Sequence, residues 1–388
     1  MQRMKNEVSP ILAVVLILVA LAAVQLLYWR GLVHEGTAQM GKGRGRGGGG
    51  GGGAEEVAAG LPDVRVETAA GQGQAGYRDG AARQALFDGP AGVAVVGEVT
   101  YIADSRNNAV RMLRDGQVTT LAGGSKEPGY ADGPRGVARF SGPAGIAVGP
   151  GGELFVSDTG NHRIRRVKAD GAVSTYAGAA TPKDDLGRET GGYREGRAAQ
   201  AEFRYPVGMT ADDSGTVYVA DAGNHAVRRI SPSGEVTTVA VEGKLQSPTS
   251  ICFAPDGSMW VSDTGGGRVW TGPAGGPLRK WQEKGEASKR FLPAGLAPTA
   301  DGAGRDQLHV YLADSGGHCL YRIEGAELVL VAGAGDAAAG SSDGGGDVAR
   351  FLCPAGLASG GAGDLYLADY GNNVIRRVSV AMSAKEER

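Results

Sequence analysis

Apolar and polar positions alternate in short runs along most of the chain, and residues 143–167 show this pattern most clearly. Their sequence, PAGIAVGPGGELFVSDTGNHRIRRV, predicts three short strands at residues 145–148, 154–157 and 163–167. Turn-forming sequences, Pro-Gly-Gly and Asp-Thr-Gly-Asn-His, separate the three strands. Three strands of this length bury too little apolar surface to be stable alone, so the pattern predicts neighbouring units of the same kind.

The same pattern occurs six times, and this repetition decides the fold. When the copies are aligned on one aspartate, each has an aromatic residue three positions earlier and an aliphatic residue six positions later. The aligned aspartates are Asp104, Asp158, Asp221, Asp263, Asp314 and Asp369. Four copies have an asparagine three residues after the aspartate, at Asn107, Asn161, Asn224 and Asn372, whereas the other two have Gly266 and Gly317.

Most copies add a fourth strand, so the sequence predicts an all-β fold, a six-bladed β-propeller of four-stranded blades. The sixth copy stops after its third strand, and an unassigned strand pattern at residues 64–70 precedes the first copy. We expect this amino-terminal strand to complete the last blade, because that pairing closes the ring and removes two exposed sheet edges.

The repeated pattern, P-x-G-I-A-V followed by L-F-V-S-D-T-G-N-H-R-I-R-R-V, resembles the NHL repeat over about residues 65–380. The resemblance implies a ring-closed propeller whose upper face binds protein, RNA or a small ligand. Some propellers of this family are lyases that hold a metal ion with histidines of the inner strands. The copies at Asp263 and Asp314 depart from the pattern, so the resemblance says less about their turns.

Composition and charge narrow the choice of partner. The formal net charge is −2, and the part of the chain after residue 61 holds more Asp and Glu than Lys and Arg. A nucleic-acid-binding domain usually has a basic excess, so the balance argues against RNA or DNA. Three cysteines, Cys252, Cys319 and Cys353, lie in separate copies without a Cys-x-x-Cys pair, which predicts core thiols and neither a disulfide framework nor a zinc site.

The amino-terminal region predicts a membrane anchor and a linker. Residues 11–29 are almost entirely apolar and long enough, at ~1.5 Å per residue, to cross a hydrocarbon core of ~30 Å as one helix. A cleaved signal peptide is the alternative, but the apolar run continues beyond the small-residue site at residues 20–22. We interpret residues 1–10 as a short flank and residues 30–61 as a glycine-rich tether.

The propeller then occupies residues 62–380, and residues 381–388 form a charged tail. A first span followed by a large domain is the arrangement of a signal anchor. We therefore expect a single-pass membrane protein with the propeller on the extracytoplasmic side.

The repeated polar residues are interpreted as structural. Asp and Asn side chains accept hydrogen bonds from nearby backbone N–H groups in turns, and these copies would lie far apart around the ring. His162, His225 and His318 occupy one column of the same turn, and the predicted innermost strands carry no His, Asp or Glu. A catalytic centre needs such groups close together, so the sequence predicts no catalytic residues, no cofactor and no metal ion.

Two further repeated features have open interpretations. The third strands carry Arg111, Arg165, Arg228 and Arg376, which either line a patch for an anionic partner or pair with loop carboxylates. Loops of the form Gly-Tyr-x-Asp/Glu-Gly place Tyr77, Tyr130 and Tyr193 before three of the blades. These tyrosines either contact a partner or fasten each loop onto the ring.

Features that are not repeated are better functional candidates. Residues 181–190, TPKDDLGRET, form a unique charged insertion that includes Lys183 and Arg188, and the fourth copy carries Trp270 and, after it, Trp281. Long loops on a rigid scaffold often bind partners. We therefore predict a non-catalytic binding or scaffold module for a protein or a small ligand. One alternative is a lyase or lactonase with a metal ion in the central channel, and another is an RNA-binding domain.

Overall fold

The computed structural model describes residues 63–124, 127–281, 291–300, 308–333 and 338–381. The chain divides after Leu61 into two units, and all the described residues lie in the second unit, Pro62–Arg388. Within the described ranges no helix has the length and apolar character needed to cross a membrane. The predicted span at residues 11–29 lies outside those ranges.

Six antiparallel sheets surround a common centre, and we number them as blades 1–6 in the order of their innermost strands. Strand β1 (Asp63–Ala70) comes first in the chain. Blade 1 contains β2 (Gly80–Ala81), β3 (Pro90–Val96), β4 (Val99–Asp104), β5 (Ala109–Arg114) and β6 (Gln117–Gly123). Blade 2 contains β7 (Pro143–Val148), β8 (Leu154–Asp158), β9 (Arg163–Val167) and β10 (Val173–Ala177). Blade 3 contains β11 (Gly196–Arg197), β12 (Pro206–Ala211), β13 (Val217–Asp221), β14 (Ala226–Ile230) and β15 (Glu235–Thr238).

The second half of the ring has the same order of strands. Blade 4 contains β16 (Pro248–Phe253), β17 (Ser258–Asp263), β18 (Arg268–Pro273) and β19 (Arg279–Lys280). Blade 5 contains β20 (Pro293–Ala300), β21 (Leu308–Asp314), β22 (Cys319–Glu324) and β23 (Glu327–Gly333). Blade 6 contains β24 (Gly344–Gly345), β25 (Pro354–Ser359), β26 (Leu365–Asp369) and β27 (Val374–Ala381). The six-bladed, four-stranded architecture that the repeats predict is therefore confirmed.

Strand β1 closes the ring. It pairs antiparallel with β27 from Asp63 opposite Ala381 to Ala70 opposite Ile375, and so supplies the outer strand of blade 6. The first and last strands of the propeller thus lie in one sheet, and neither leaves its backbone N–H and C=O groups unpaired along the closing edge.

The innermost strands approach one another very closely, because their third position is glycine in five of the six blades. A Cβ atom added at Gly92 would lie 2.0 Å from the carbonyl oxygen of Ala144, and one at Gly145 would lie 2.2 Å from that of Val207. No side chain fits at these distances. Glycine here is therefore a requirement of the tight inner ring.

Six apolar clusters hold the blades together, and each forms between two neighbouring sheets. The cluster between blades 1 and 2, for example, joins Ala103 and Leu121 of blade 1 to Ile146 and Val156 of blade 2. Alternate residues of a strand face opposite sides of its sheet, so a strand such as β9 contributes to two of these clusters, through Val167 on one side and Ile164 on the other. The core is a ring of interfaces between sheets.

Candidate functional site

The repeated aspartates lie at the ends of the second strands and are fully buried. The Asp104 carboxylate accepts hydrogen bonds from the backbone N–H of Asp88 (2.8 Å), from Asn107 Nδ2 (2.8 Å) and from Arg111 (2.6 Å). A 3₁₀ turn follows at Ser105–Asn107, and Asn108 then adopts the left-handed conformation with φ of 50°. The carboxylate is thus used inside its own blade, where no ligand reaches it.

The same three contacts recur in three other blades. The equivalent residues are Asp158 with Asn161 and Arg165, Asp221 with Asn224 and Arg228, and Asp369 with Asn372 and Arg376. Burial raises the pKa of Asp104, Asp221 and Asp369 to about 6, and the adjacent guanidinium groups oppose the rise. These carboxylates lie 2.6–3.0 Å from the guanidinium nitrogens of Arg111, Arg228 and Arg376, with which they form buried ion pairs.

The four third-strand arginines are completely buried. Arg111 pairs with Asp104 and with the loop carboxylate of Asp79, both at 2.6 Å. Its guanidinium carbon lies 4.8 Å from the ring centre of Tyr77 and 5.2 Å from that of Phe87, so the cation is sandwiched between two aromatic rings. Arg165 and Arg228 have the same arrangement, with Tyr130 and Phe140 and with Tyr193 and Phe203.

Each of the three loop tyrosines also hydrogen-bonds a threonine of its outer strand. The hydroxyl of Tyr77 lies 2.7 Å from Thr120 Oγ1, and the equivalent pairs are Tyr130 with Thr175 and Tyr193 with Thr238. The loops wrap around the outer edge of the blade that follows, and in blades 1 and 3 they add the short strands β2 and β11. The tyrosines therefore fasten the loops, while one part of each side chain stays exposed on the rim.

In blades 4 and 5 an aromatic residue replaces the third-strand arginine beside the buried aspartate. In blade 4, Trp270 takes the arginine position, and its Nε1 lies 3.3 Å from Asp263 Oδ2. The Trp270 side chain is only 3 % exposed, so a partner does not reach it in this conformation. In blade 5, Tyr321 takes that position, and Asp314 Oδ2 is buried without a hydrogen bond in the described part of the chain.

Trp281 belongs to the cluster between blades 4 and 5. Its ring centre lies 6.2 Å from that of Trp260, and its Nε1 donates to the carbonyl oxygen of Gly325 at 2.9 Å. The half-buried indole therefore packs against the neighbouring blade.

Residues 181–190, which we call the finger, fold into a compact hairpin between blades 2 and 3. The backbones of Lys183 and Glu189 pair as an antiparallel β-bridge. The Asp184 carboxylate accepts hydrogen bonds from the backbone N–H groups of Leu186 and Arg188, both at 2.9 Å. The Asp184 and Arg188 side chains also form an ion pair at 3.1 Å. Leu186 at the tip is 74 % exposed, the largest exposure among the large apolar side chains of the described residues.

The base of the finger is fixed to blade 2. The Glu189 carboxylate pairs with Arg163 at 2.9 Å and accepts from the backbone N–H of Thr181. Arg163 in turn lies over the ring of Tyr130, 4.2 Å from its centre. The buried Arg163 side chain thus links the base of the finger to the partly exposed Tyr130.

His162 joins the finger to the ring. Its Nδ1 accepts from the backbone N–H of Tyr205 in blade 3 (3.0 Å), and its Nε2 lies 2.9 Å from the carbonyl oxygen of Glu189. The imidazole of His162 is therefore neutral, with the proton on Nε2. Asn108 fills the same position at the preceding junction, between blades 1 and 2, where its Oδ1 accepts from the backbone N–H of Gly142.

We expect His162 to make the protein less stable in acid. Burial lowers the pKa of His162 below its usual 6.5, so the unfolded chain takes up this proton first. The free energy of unfolding should fall as the pH drops below about 6.5, by at most about 1.4 kcal/mol per pH unit. His162→Asn keeps the acceptor without the titration, so urea unfolding at pH 7.5 and 5.5 should show a smaller loss in this variant. An equal loss in both proteins would contradict this role of His162.

Comparison of the six turn copies also identifies two residues that we did not select from the sequence. Arg106 and Tyr370 differ from every equivalent residue, and they contact each other where blade 6 meets blade 1. Position-by-position comparison within the turn, rather than of whole copies, is the signal that finds them.

His, Cys, Asp and Glu side chains are the possible metal ligands of the described residues. No group of three or more His, Cys, Asp or Glu side chains lies close enough there to hold a metal ion. The three cysteines are free and buried, and burial raises the pKa of the Cys353 thiol to about 11.

Several known proteins are similar to parts of this chain. The model of the Teneurin NHL domain matches residues 135–231. The Arabidopsis thaliana chloroplastic protein SUPPRESSOR OF QUENCHING 1 is 27% identical over 320 residues, which cover 79% of this chain and 26% of that protein. NHL repeat-containing protein 2 of Gallus gallus is 31% identical over 175 residues, or 41% of this chain and 23% of that protein. Virginiamycin B lyase of Nocardia farcinica is 33% identical over 190 residues, or 45% of this chain and 62% of the lyase.

Solved structures agree on the fold. An auxiliary nutrient binding protein from Bacteroides thetaiotaomicron superposes with a TM-score of 0.62 at 13% identity, covering 82% of this chain and 76% of that chain. A gluconolactonase from Xanthomonas campestris superposes with a TM-score of 0.55 at 16% identity, covering 85% and 94%.

The closed ring of six sheets defines the class of protein as a six-bladed β-propeller. The turn pattern, the matching family model and the NHL repeat-containing relatives identify it further as an NHL-type propeller. The match spans about a quarter or less of the length of the first relatives, so their names describe larger proteins.

Proposed function

We propose that this propeller is a non-catalytic binding module that holds a protein partner, and that the finger makes the central contact. The exposed Leu186 at the tip of an ordered hairpin is the observation that supports this most directly. A large apolar side chain in solvent gains free energy when a partner covers it, roughly 1.5–3 kcal/mol for a fully buried leucine.

The finger has a fixed conformation before any partner binds, and this also favours binding. Asp184 fixes the tip through two backbone N–H groups, and Glu189 fixes the base through Arg163. A loop that is already ordered loses little conformational entropy when a partner binds, so more of the contact energy becomes affinity. Lys183 and Arg188 flank the leucine and would provide the polar rim of such an interface.

Tyr130 is a further contact site, because its ring is partly exposed and is joined to the finger through the buried Arg163, which lies over the ring and pairs with Glu189. Tyr77 and Tyr193 present equivalent rings on neighbouring blades, and we include them as weaker contact sites on the rim. Trp281 is half-buried between blades 4 and 5, on another part of the ring.

We also propose that residues 11–29 anchor the protein in a membrane as a single span, with the propeller on the extracytoplasmic side. The apolar stretch and the glycine-rich tether in the sequence support this arrangement.

Replacement of Leu186 by aspartate should weaken partner binding about thirtyfold or more, because burying an unpaired charge in an interface removes a contact of hot-spot strength. The measurement is affinity capture of the full-length chain from its own membrane, followed by a titration with the captured protein. The reversed pair Lys183→Glu with Arg188→Glu should also weaken binding.

Val348→Ser is the matched control, since Val348 is also an exposed apolar residue but lies in the loop before β25 of blade 6, whereas the finger lies between blades 2 and 3. All these variants should keep the unfolding temperature of the wild type, because surface changes usually alter stability by only about 0.5 kcal/mol. Unchanged binding by Leu186→Asp would reject the finger as the contact.

A second candidate is an enzyme of the lyase or lactonase kind. The 33% identity to a virginiamycin B lyase over 190 residues favours it. Metal analysis of the purified full-length chain separates the two, since a tightly held stoichiometric ion belongs to the enzyme and is not needed by a binding module.

A further inference from the structure

Two residues of the Asp turns depart from the repeat, and both lie at the junction where the ring closes. Arg106 stands where the five other copies have glycine, and Tyr370 stands where the others have Ser, Thr or Ala. The guanidinium carbon of Arg106 lies 5.1 Å from the centre of the Tyr370 ring. Two independent departures that contact each other across blades 6 and 1 indicate a shared role.

Holding the blades together does not explain the pair. At other junctions a hydroxyl in the Tyr370 position donates to the next innermost strand, as Thr159 does to the carbonyl oxygen of Pro206 (2.7 Å). A tyrosine in this position loses that short hydrogen bond between blades. The closing junction is still bonded, because Asn373 Oδ1 accepts from the backbone N–H of Gly89 at 2.9 Å.

The geometry fixes the guanidinium but leaves most of its donors available. A Cβ atom at Gly89 would lie 3.0 Å from Tyr370 Cε2 and 3.3 Å from Arg106 Cδ, so both side chains pack over bare backbone. The Arg106 side chain is 36% exposed. Within the described residues its carboxylate partner is Asp88, through one nitrogen at 3.4 Å.

Tyr370 adds a donor beside the guanidinium. Burial raises the pKa of its phenol, and the charge of Arg106 and a hydrogen bond between the two side chains oppose the rise. A neutral phenol has a proton to donate to a negatively charged group that binds the guanidinium.

We propose that Arg106 and Tyr370 form a binding site for a carboxylate group, on the face that carries the Asp turns. The planar fork of a guanidinium matches the two oxygens of a carboxylate, and stacking on Tyr370 holds the fork in place. Asp88 already balances part of the positive charge, which disfavours a phosphate dianion. The site is separate from the finger, which lies between blades 2 and 3.

The carboxylate can come from a small organic acid or from the carboxyl terminus of a peptide, and one experiment distinguishes them. The full-length chain in detergent is titrated at pH 7.4 with succinate, with N-acetyl-triglycine, or with the amide of that peptide, and saturation transfer to the ligand protons is measured. We expect saturable binding of succinate, of the peptide acid, or of both, and none of the amide. The tighter of the two acids identifies the source.

Arg106→Gln should weaken this binding at least about tenfold, because the charge-assisted bonds are lost. Tyr370→Phe keeps the ring and removes the hydroxyl, and should weaken it about fivefold. Arg279→Gln is the matched control: Arg279 is an exposed arginine that pairs with the Glu242 carboxylate at 3.0 Å, outside both proposed sites, so its loss should change nothing.

Arg106→Lys keeps the positive charge but not the planar fork of the guanidinium. If Arg106→Gln does not fold, binding by Arg106→Lys tests the proposal instead, and we expect it to be weaker than that of the wild type. The proposal is overturned if neither acid binds saturably, if the amide or inorganic phosphate binds as tightly, or if the Arg106 variants bind like the wild type. A lower unfolding temperature in these variants together with unchanged binding would make the pair a structural contact only.

Discussion

Replacing Asp158 by alanine is expected to lower the free energy of unfolding by about 3–5 kcal/mol, one of the two largest effects of any single substitution considered for this protein. Asp158 and Arg165 are both completely buried, and their side chains pair at 2.6 Å. Removal of the carboxylate leaves the guanidinium buried opposite an empty position. Urea unfolding followed by tryptophan and tyrosine fluorescence measures the change.

Two further variants test the cause. Asp132 also binds Arg165 at 2.6 Å, but its side chain is 44% exposed, so Asp132→Asn should cost much less than Asp158→Ala. The double variant Asp158→Ala with Arg165→Met should recover part of the loss, because the buried guanidinium that has lost its buried partner is then removed as well. If Asp158→Ala and Asp132→Asn cost the same, the buried pair is not the main source of stability in blade 2.

Most of the fold could be predicted from the repeated sequence pattern alone. The aspartate column, the aromatic column before it and the aliphatic column after it are local patterns of strands and turns, and they lead directly to six sheets. The closing role of β1 could be inferred as well, because the sixth copy lacks a fourth strand and residues 64–70 have the pattern of one.

The arrangement around the arginines could not be predicted in full. Pairing with loop carboxylates was one of the two interpretations, and the bond between Arg111 and Asp79 agrees with it. The aromatic sandwich depends on how a loop folds around the outer edge of the next blade. Tyr77 and Arg111 are far apart in sequence, and nothing local to either residue indicates that they stack.

In the candidate sites, too, local sequence predicts some features and others depend on tertiary structure. The finger was recognised because it interrupts the repeat, but the exposure of Leu186 and the hold of Glu189 on Arg163 are facts of tertiary structure. Arg106 and Tyr370 are distant in the chain and adjacent only because the ring closes. Closure therefore creates a surface that belongs to no single repeat.

That dependence on closure makes β1 the second position where a large effect is expected. Val66 is 1% exposed and lies in the cluster that joins blade 5 to blade 6. Val66→Asp places a charge without a partner in that cluster, which should cost several kcal/mol and separate β1 from β27. We expect a much lower unfolding temperature and rapid proteolysis near residues 63–70.

Glu67→Gln provides the matched control, because Glu67 lies beside Val66 in the same strand but faces solvent, where it pairs with Arg377 at 3.6 Å. Its unfolding free energy should stay within about 0.5 kcal/mol of the wild type. Opening of the closing blade also separates Tyr370 from Arg106, so Val66→Asp at a temperature where the rest of the ring is folded should lose succinate binding. Retention of a closed, protease-resistant ring in Val66→Asp would show that the remaining pairs along β1 and β27 are enough to close the propeller.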